Sequence, residues 1–187
     1  MRILPTLVVV SGPPGAGKTT LAHALADTLG WPAVCRDEIK EALSSSAGPA
    51  DQLDLTTLTL FFRRLGELLE SGSSVVAEAA YQDRLWRPGL EPLAELGRIR
   101  VVRCVVDPEL ARDRIASRAA EEPGRSVHAD ADLLHRIAQG QKPIESWKPI
   151  GLDVPCMVVD TNQGWRPSLD RIAAFATLHA APQPPVR

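Results

Sequence analysis

Two short stretches carry residue types whose spacing can do chemistry. Gly12 to Thr19 reads GPPGAGKT and fits the pattern GxxxxGK(S/T). In that pattern glycines let backbone N–H groups converge on phosphate oxygens, a lysine reaches the β- and γ-phosphates, and a hydroxyl ligates Mg²⁺. Gly12, Pro13, Pro14, Gly15, Ala16, Gly17, Lys18, Thr19 and Thr20 therefore form an expected ATP cradle, with Lys18 on the phosphates and Thr19 on the metal. The second stretch, VCRDEIKEAL from Val34 to Leu43, ends an apolar run abruptly in Arg36 and Asp37. Asp37 has two readings. It is a favoured helix cap, or it is a carboxylate that accepts a proton from a hydroxyl being phosphorylated. Lys40 stands where a capping box has Glu or Gln, which weakens the first reading.

Both stretches lie where an alternation of strands and helices places them. Thr6 to Ser11 (TLVVVS) is an expected strand, and Leu21, Leu25 and Leu29 recur at helical spacing over Lys18 to Leu29, before Gly30. A short strand from Ala33 to Arg36 leads into a helix from Asp37. A long helix follows from about Leu53 to Glu70, whose apolar residues form one stripe. Strands at Ser74 to Glu78, Ile99 to Val106 and Cys156 to Asp160 are separated by helices near Pro88 to Leu96, from Asp107 to about Ala120 and from Asp132 to Gln139. A last helix runs from Pro167 to His179. Parallel strands need crossover connections, so this order predicts an α/β fold. The expected architecture is a three-layer P-loop sandwich with a five-stranded, mainly parallel sheet and a small lid at about residues 119 to 131. One domain covers residues 1 to 181, and 182 to 187 form a flexible tail. The strand C-termini then share one rim, which brings Asp37 to the same edge as the phosphate cradle.

Composition narrows the function classes. The chain has 187 residues, 44% apolar and 24% charged, with a net charge of −2. That balance argues against a surface built mainly to hold a nucleic-acid backbone. Cys35, Cys104 and Cys156 lack paired spacing, which fits a reducing cytoplasm and neither a disulfide framework nor a zinc site. No run approaches the roughly 18 consecutive apolar residues of a membrane span. The guanine-reading (N/T)KxD pattern is absent, as is the apolar run followed by Asp-Glu of many motor ATPases.

GPPGAGKTT, then RDEIK, then a strand ending in an acidic residue, then VVDPELARDRIASR and a polar segment together resemble the small P-loop kinases. Within them the chain is similar to the 5′-hydroxyl polynucleotide kinase domain, chloramphenicol phosphotransferase and zeta-toxin kinases, over about residues 6 to 161. The resemblance implies that Asp37 is the general base and that Arg36 and Lys40 hold the acceptor. It also implies that Arg114, Arg118 and Arg125 close over the phosphates, and that Thr161 and Asn162 in the DTNQG turn approach the adenine. Glu78 is expected among the acceptor contacts and occupies a place where those kinases often carry Asp followed by Thr and Asn; here the sequence is EAAY. His128 reads as a lid or surface residue. Tyr81, Arg84 and Trp86 are candidates for acceptor contacts, with core packing an equal explanation for Trp86.

The expectation is an ATP- and Mg²⁺-dependent phosphotransferase acting on a small-molecule hydroxyl. A nucleotide or polynucleotide 5′-end is the nearest alternative acceptor, and a non-catalytic ATP-binding regulator or toxin-like partner is the rival from another class. Oligomeric state is not legible.

Overall fold

The computed structural model describes residues 4–44, 49–121 and 127–178. Five strands form one parallel sheet in the order β2-β3-β1-β4-β5: β1 (Thr6–Ser11), β2 (Ala33–Cys35), β3 (Val75–Ala79), β4 (Arg98–Val105) and β5 (Cys156–Asp160). Every pairing is parallel, so the sheet is wholly rather than mainly parallel. The central strand β1 is buried along its whole length, as a strand covered on both faces must be.

The two-residue period of β1 divides the core. Leu7 and Val9 face the layer formed by α3 (Ala50–Glu70) and α4 (Asp83–Leu93), where Phe61, Leu65, Leu69, Trp86 and Leu90 are fully or almost fully buried. Val8 and Val10 face α1 (Lys18–Leu29) and α7 (Leu169–Thr177), against Leu21, Leu25 and Ile172. A smaller cluster ties α5 (Pro108–Glu121) to α6 (Val127–Ala138) through Ala111, Ile115, Leu133 and Ile144.

Several boundaries differ from the sequence expectation. The helix α2 (Arg36–Ser44) begins one residue early, so Asp37 sits inside its first turn and is not the residue that precedes it. Helix α3 starts at Ala50 rather than Leu53. Helix α4 starts at Asp83, five residues before Pro88, and carries Pro88 and Pro92 inside it. Proline discourages helix by removing a donor, but Trp86, Leu90 and Leu93 bury one apolar face, and that packing outweighs the local preference. The strand β3 ends at Ala79, so Glu78 is its penultimate residue. Arg125 and residues 182–187 lie outside the described residues; α6 contains His128, whose side chain is likewise not described.

Candidate active site at the strand C-termini

The loop after β1 turns through Gly12, Gly15 and Gly17, with φ of 155°, 78° and 67°. Gly15 is required on two counts. Its φ lies in the left-handed region, and a Cβ there would stand 2.5 Å from the Ala111 carbonyl oxygen of α5. A Cβ on Gly12 would similarly meet the Cys104 carbonyl oxygen at 2.7 Å. The loop therefore nests against β4 and α5 with its backbone wrapped around the entry to α1. Lys18 Nζ, almost fully buried, donates to the Pro13 carbonyl at 2.9 Å and so lies across the loop's mouth. Thr20, two residues further along α1, is exposed.

Thr19 Oγ1 donates to Glu78 Oε2 at 3.1 Å. Register explains the pair: Glu78 lies opposite Val10 of β1, one residue before the strand end that feeds the loop. Glu78 is 3% exposed. Burial pushes its carboxyl up from the ordinary range, nearby Asp37 adds to that, and Lys18 and the Thr19 hydrogen bond pull the other way. The buried Glu78 carboxylate and the Thr19 hydroxyl are hard oxygen donors suited to Mg²⁺, which takes few protein ligands alongside phosphate oxygens.

Three of the residues assigned to the nucleotide by resemblance, Arg114, Thr161 and Asn162, lie together. Arg114 NH2 donates to the Thr161 carbonyl at 2.6 Å and to that of Asn162 at 3.4 Å, and its NH1 reaches the Gly15 carbonyl at 3.4 Å. One guanidinium thus ties the phosphate loop to the turn after β5. That turn is fixed in its own right: Thr161 Oγ1 donates to the Val105 carbonyl at 3.1 Å, and Asn162 Oδ1 accepts from the Asp107 N–H at 2.8 Å. Arg118 lies one helical turn beyond Arg114 and is exposed.

Across the sheet from the loop, Cys35 of β2 pairs with Glu78, and the chain then enters α2, which brings Asp37 to the same rim. Its side chain is 74% exposed, with Oδ1 accepting from Arg36 NH1 at 2.7 Å. Burial lowers the affinity of the Arg36 guanidinium for its proton, but the ion pair with Asp37 outweighs this and the net shift is upward. Arg36 and Lys40 are not open cations. Asp54, in the first turns of α3, accepts from Arg36 NH2 at 2.8 Å and pairs with Lys40 Nζ at 2.7 Å. Asp54 is a residue the sequence reading missed; its only signal was a carboxylate near the start of the helix expected to flank the pocket.

Tyr81 is buried and packs edge-on to Phe61 and Trp86, with the Arg36 guanidinium 5.8 Å from its ring centroid. Burial raises its phenol, and Arg36 opposes the shift. Trp86 is fully buried among Phe61, Phe62 and Tyr81, so its place is in the core. Arg84 is exposed on α4 and makes no hydrogen bond or ion pair among the described residues.

The model of the AAA domain matches residues 7–144. The chain belongs to the AAA domain family. This AAA domain is 28% identical over 149 residues to an uncharacterized protein of Mycobacterium tuberculosis (strain ATCC 25618 / H37Rv), a match that takes in 72% of the chain and 29% of that relative. The chain therefore spans under a third of the curated relatives it matches. Among solved structures, a Chloroflexus aurantiacus protein provisionally described as a kinase superposes with a TM-score of 0.72 at 26% identity, over 94% of this chain and 95% of that one. APS kinase of Mycobacterium tuberculosis, solved with AMPPNP and APS, gives 0.64 at 14% identity, over 92% and 95%. The AAA domain described here accordingly has the fold of the small P-loop kinases. Among the described residues no helix is long and apolar enough to cross a membrane.

Proposed function

We propose that this AAA domain transfers the γ-phosphoryl group of ATP to a hydroxyl of a small molecule, with Asp37 as general base. The observation that carries the reading is the shared rim. The Lys18 and Thr19 end of α1, Glu78 of β3 and Asp37 at the start of α2 follow one another across adjacent strands. A phosphoryl transfer needs that order of parts: cations on the phosphates, a metal, and a carboxylate on the acceptor side.

In this reading Lys18 would turn from the Pro13 carbonyl to the β- and γ-phosphates, and Thr19 and Glu78 would hold Mg²⁺. When bound, Mg²⁺ supplies charge neutralisation at the phosphate oxygens. Asp37 accepts the acceptor's O–H proton while the new O–P bond forms and the bond to the ADP oxygen breaks. Its exposure suits this role, because the carboxylate faces solvent where an acceptor enters. Arg118 and Arg125 are assigned to the charge that develops on the migrating group, and Arg114, Thr161 and Asn162 to the nucleotide.

A small acceptor is favoured over a nucleic-acid 5′-end by Asp54, which together with Asp37 balances the two cations, Arg36 and Lys40, that would otherwise meet a phosphate backbone. The net charge of −2 points the same way. The small-molecule acceptor APS of a structural neighbour makes such a substrate plausible. The test is ADP release across neutral and anionic hydroxyl compounds and 5′-hydroxyl oligonucleotides. Stimulation by a small hydroxyl compound supports the reading, and stimulation by oligonucleotides alone overturns the acceptor class.

A further inference from the structure

The loop-side donors Thr19 and Glu78 have a neighbouring set of a different chemical kind. His23 lies one helical turn after Thr19 on α1, and Cys35 lies beside Glu78 in the pairing of β2 with β3. Glu38, in the first turn of α2, completes the group. His23 Nε2 is 2.7 Å from Glu38 Oε1 and 3.7 Å from Cys35 Sγ, and the three potential ligand atoms all lie within 4.8 Å of one another. No sequence motif signals this, because the donors come from three separate elements and only the fold collects them.

We propose that His23, Cys35 and Glu38 form a Zn²⁺ site, with a fourth position open to water. The donor set fits Zn²⁺ and not the Mg²⁺ of the phosphate site. Thiolate and imidazole are soft or borderline ligands that select Zn²⁺, whereas Mg²⁺ takes oxygen. Spacing agrees as well. Tetrahedral bonds of about 2.3 Å to sulfur and about 2.0 Å to nitrogen set those two atoms about 3.5 Å apart, against the 3.7 Å between Cys35 Sγ and His23 Nε2. The nitrogen and carboxylate oxygen need only separate from hydrogen-bond distance to about 3.3 Å. Both belong to half-exposed side chains, with 46% and 43% of their surface accessible, so this movement is open to them. A coordinating cation deprotonates the thiol outright.

Placement gives the site a consequence. Asp37 lies between Cys35 and Glu38, so a cation held by those two and by His23 fixes the backbone on both sides of the carboxylate. Helix α2 buries no residue fully, and the metal would fasten its first turn to α1. The site does not depend on the phosphotransferase reading.

Titration of the metal-free, reduced full chain with Co²⁺, followed by absorption, tests the assignment. The wild type is expected to take up one equivalent with a thiolate-to-cobalt charge-transfer band. Zn²⁺ should displace the band stoichiometrically, and millimolar Mg²⁺ should leave it in place. His23→Ala and Cys35→Ser should each abolish the band or weaken uptake by more than ~100-fold, beyond the loss typical of an outer-shell partner. Glu38→Gln should weaken uptake with the band still visible at saturation. His23 is half-exposed, so His23→Ala keeps the test intact if the buried Cys35→Ser protein does not fold. Absence of the band from wild type, its displacement by Mg²⁺, or undiminished uptake with the band in His23→Ala overturns the proposal.

Discussion

Thr19 and Glu78 meet through a 3.1 Å hydrogen bond although 59 residues separate them, joining the first turn of α1 to the penultimate residue of β3. The carboxyl is buried and its proton affinity is raised, chiefly by that burial. The native state therefore holds this proton more tightly than the unfolded chain does. Stability from this group is fully present below the unfolded value, near 4.5, and is lost as pH rises through the higher native value. Glu78→Gln should remove that component, so urea unfolding without ligand should show the variant gaining on wild type as pH rises through this window. Mg²⁺ with nucleotide should stabilise the wild type more than the variant. An unchanged difference across pH, with equal Mg²⁺ effects, would remove Glu78 from the metal assignment.

Asp37→Asn keeps the side chain's size and removes its basicity. Nucleotide binding should persist while acceptor-dependent turnover falls by ~10²- to 10⁴-fold, the range for loss of a general base. Calorimetry for ATP binding and steady-state ADP release measure the two separately.

Asp54 sets the charge presented by Arg36 and Lys40. Asp54→Asn should leave Arg36 paired with Asp37, free Lys40, and lower KM for an anionic acceptor by ~5-fold relative to a neutral one, as about 1 kcal/mol of exposed pairing allows. A parallel determination of KM for one acceptor of each charge checks it, and raised salt should shrink the difference.

Trp86 is a core residue on this account. Trp86→Ala should cost ~3–5 kcal/mol in denaturant unfolding, whereas Trp86→Phe should recover most of that loss. Retained stability in the alanine variant, with a change confined to acceptor KM, would return Trp86 to the pocket.

The sheet and the phosphate loop were legible because their signals are local. β-branched runs mark the strands, and GPPGAGKT combines fixed residues with a strand before it and a helix after it. The convergence of Arg114 with Thr161 and Asn162 was reachable through resemblance, since 47 residues separate Arg114 from Thr161 and no periodicity connects them. Helix α4 was misplaced because Pro88 and Pro92 argue against helix locally, while burial of Trp86 and Leu90 decides the matter globally. Asp54, and the gathering of Cys35 with His23, could not be read because they depend on which face each helix turns toward the rim. The cysteine spacing that gave no zinc pattern was a statement about sequence distance only.

The most direct measurement is ADP release with a panel of small hydroxyl compounds, with ³¹P NMR to identify the product, on wild type and Lys18→Ala. The account predicts slow basal hydrolysis, stimulated by at least one compound with appearance of its phosphate ester, and loss of both in the lysine variant. ATP binding without stimulation or ester formation by any hydroxyl compound, or full activity in Lys18→Ala, would contradict it.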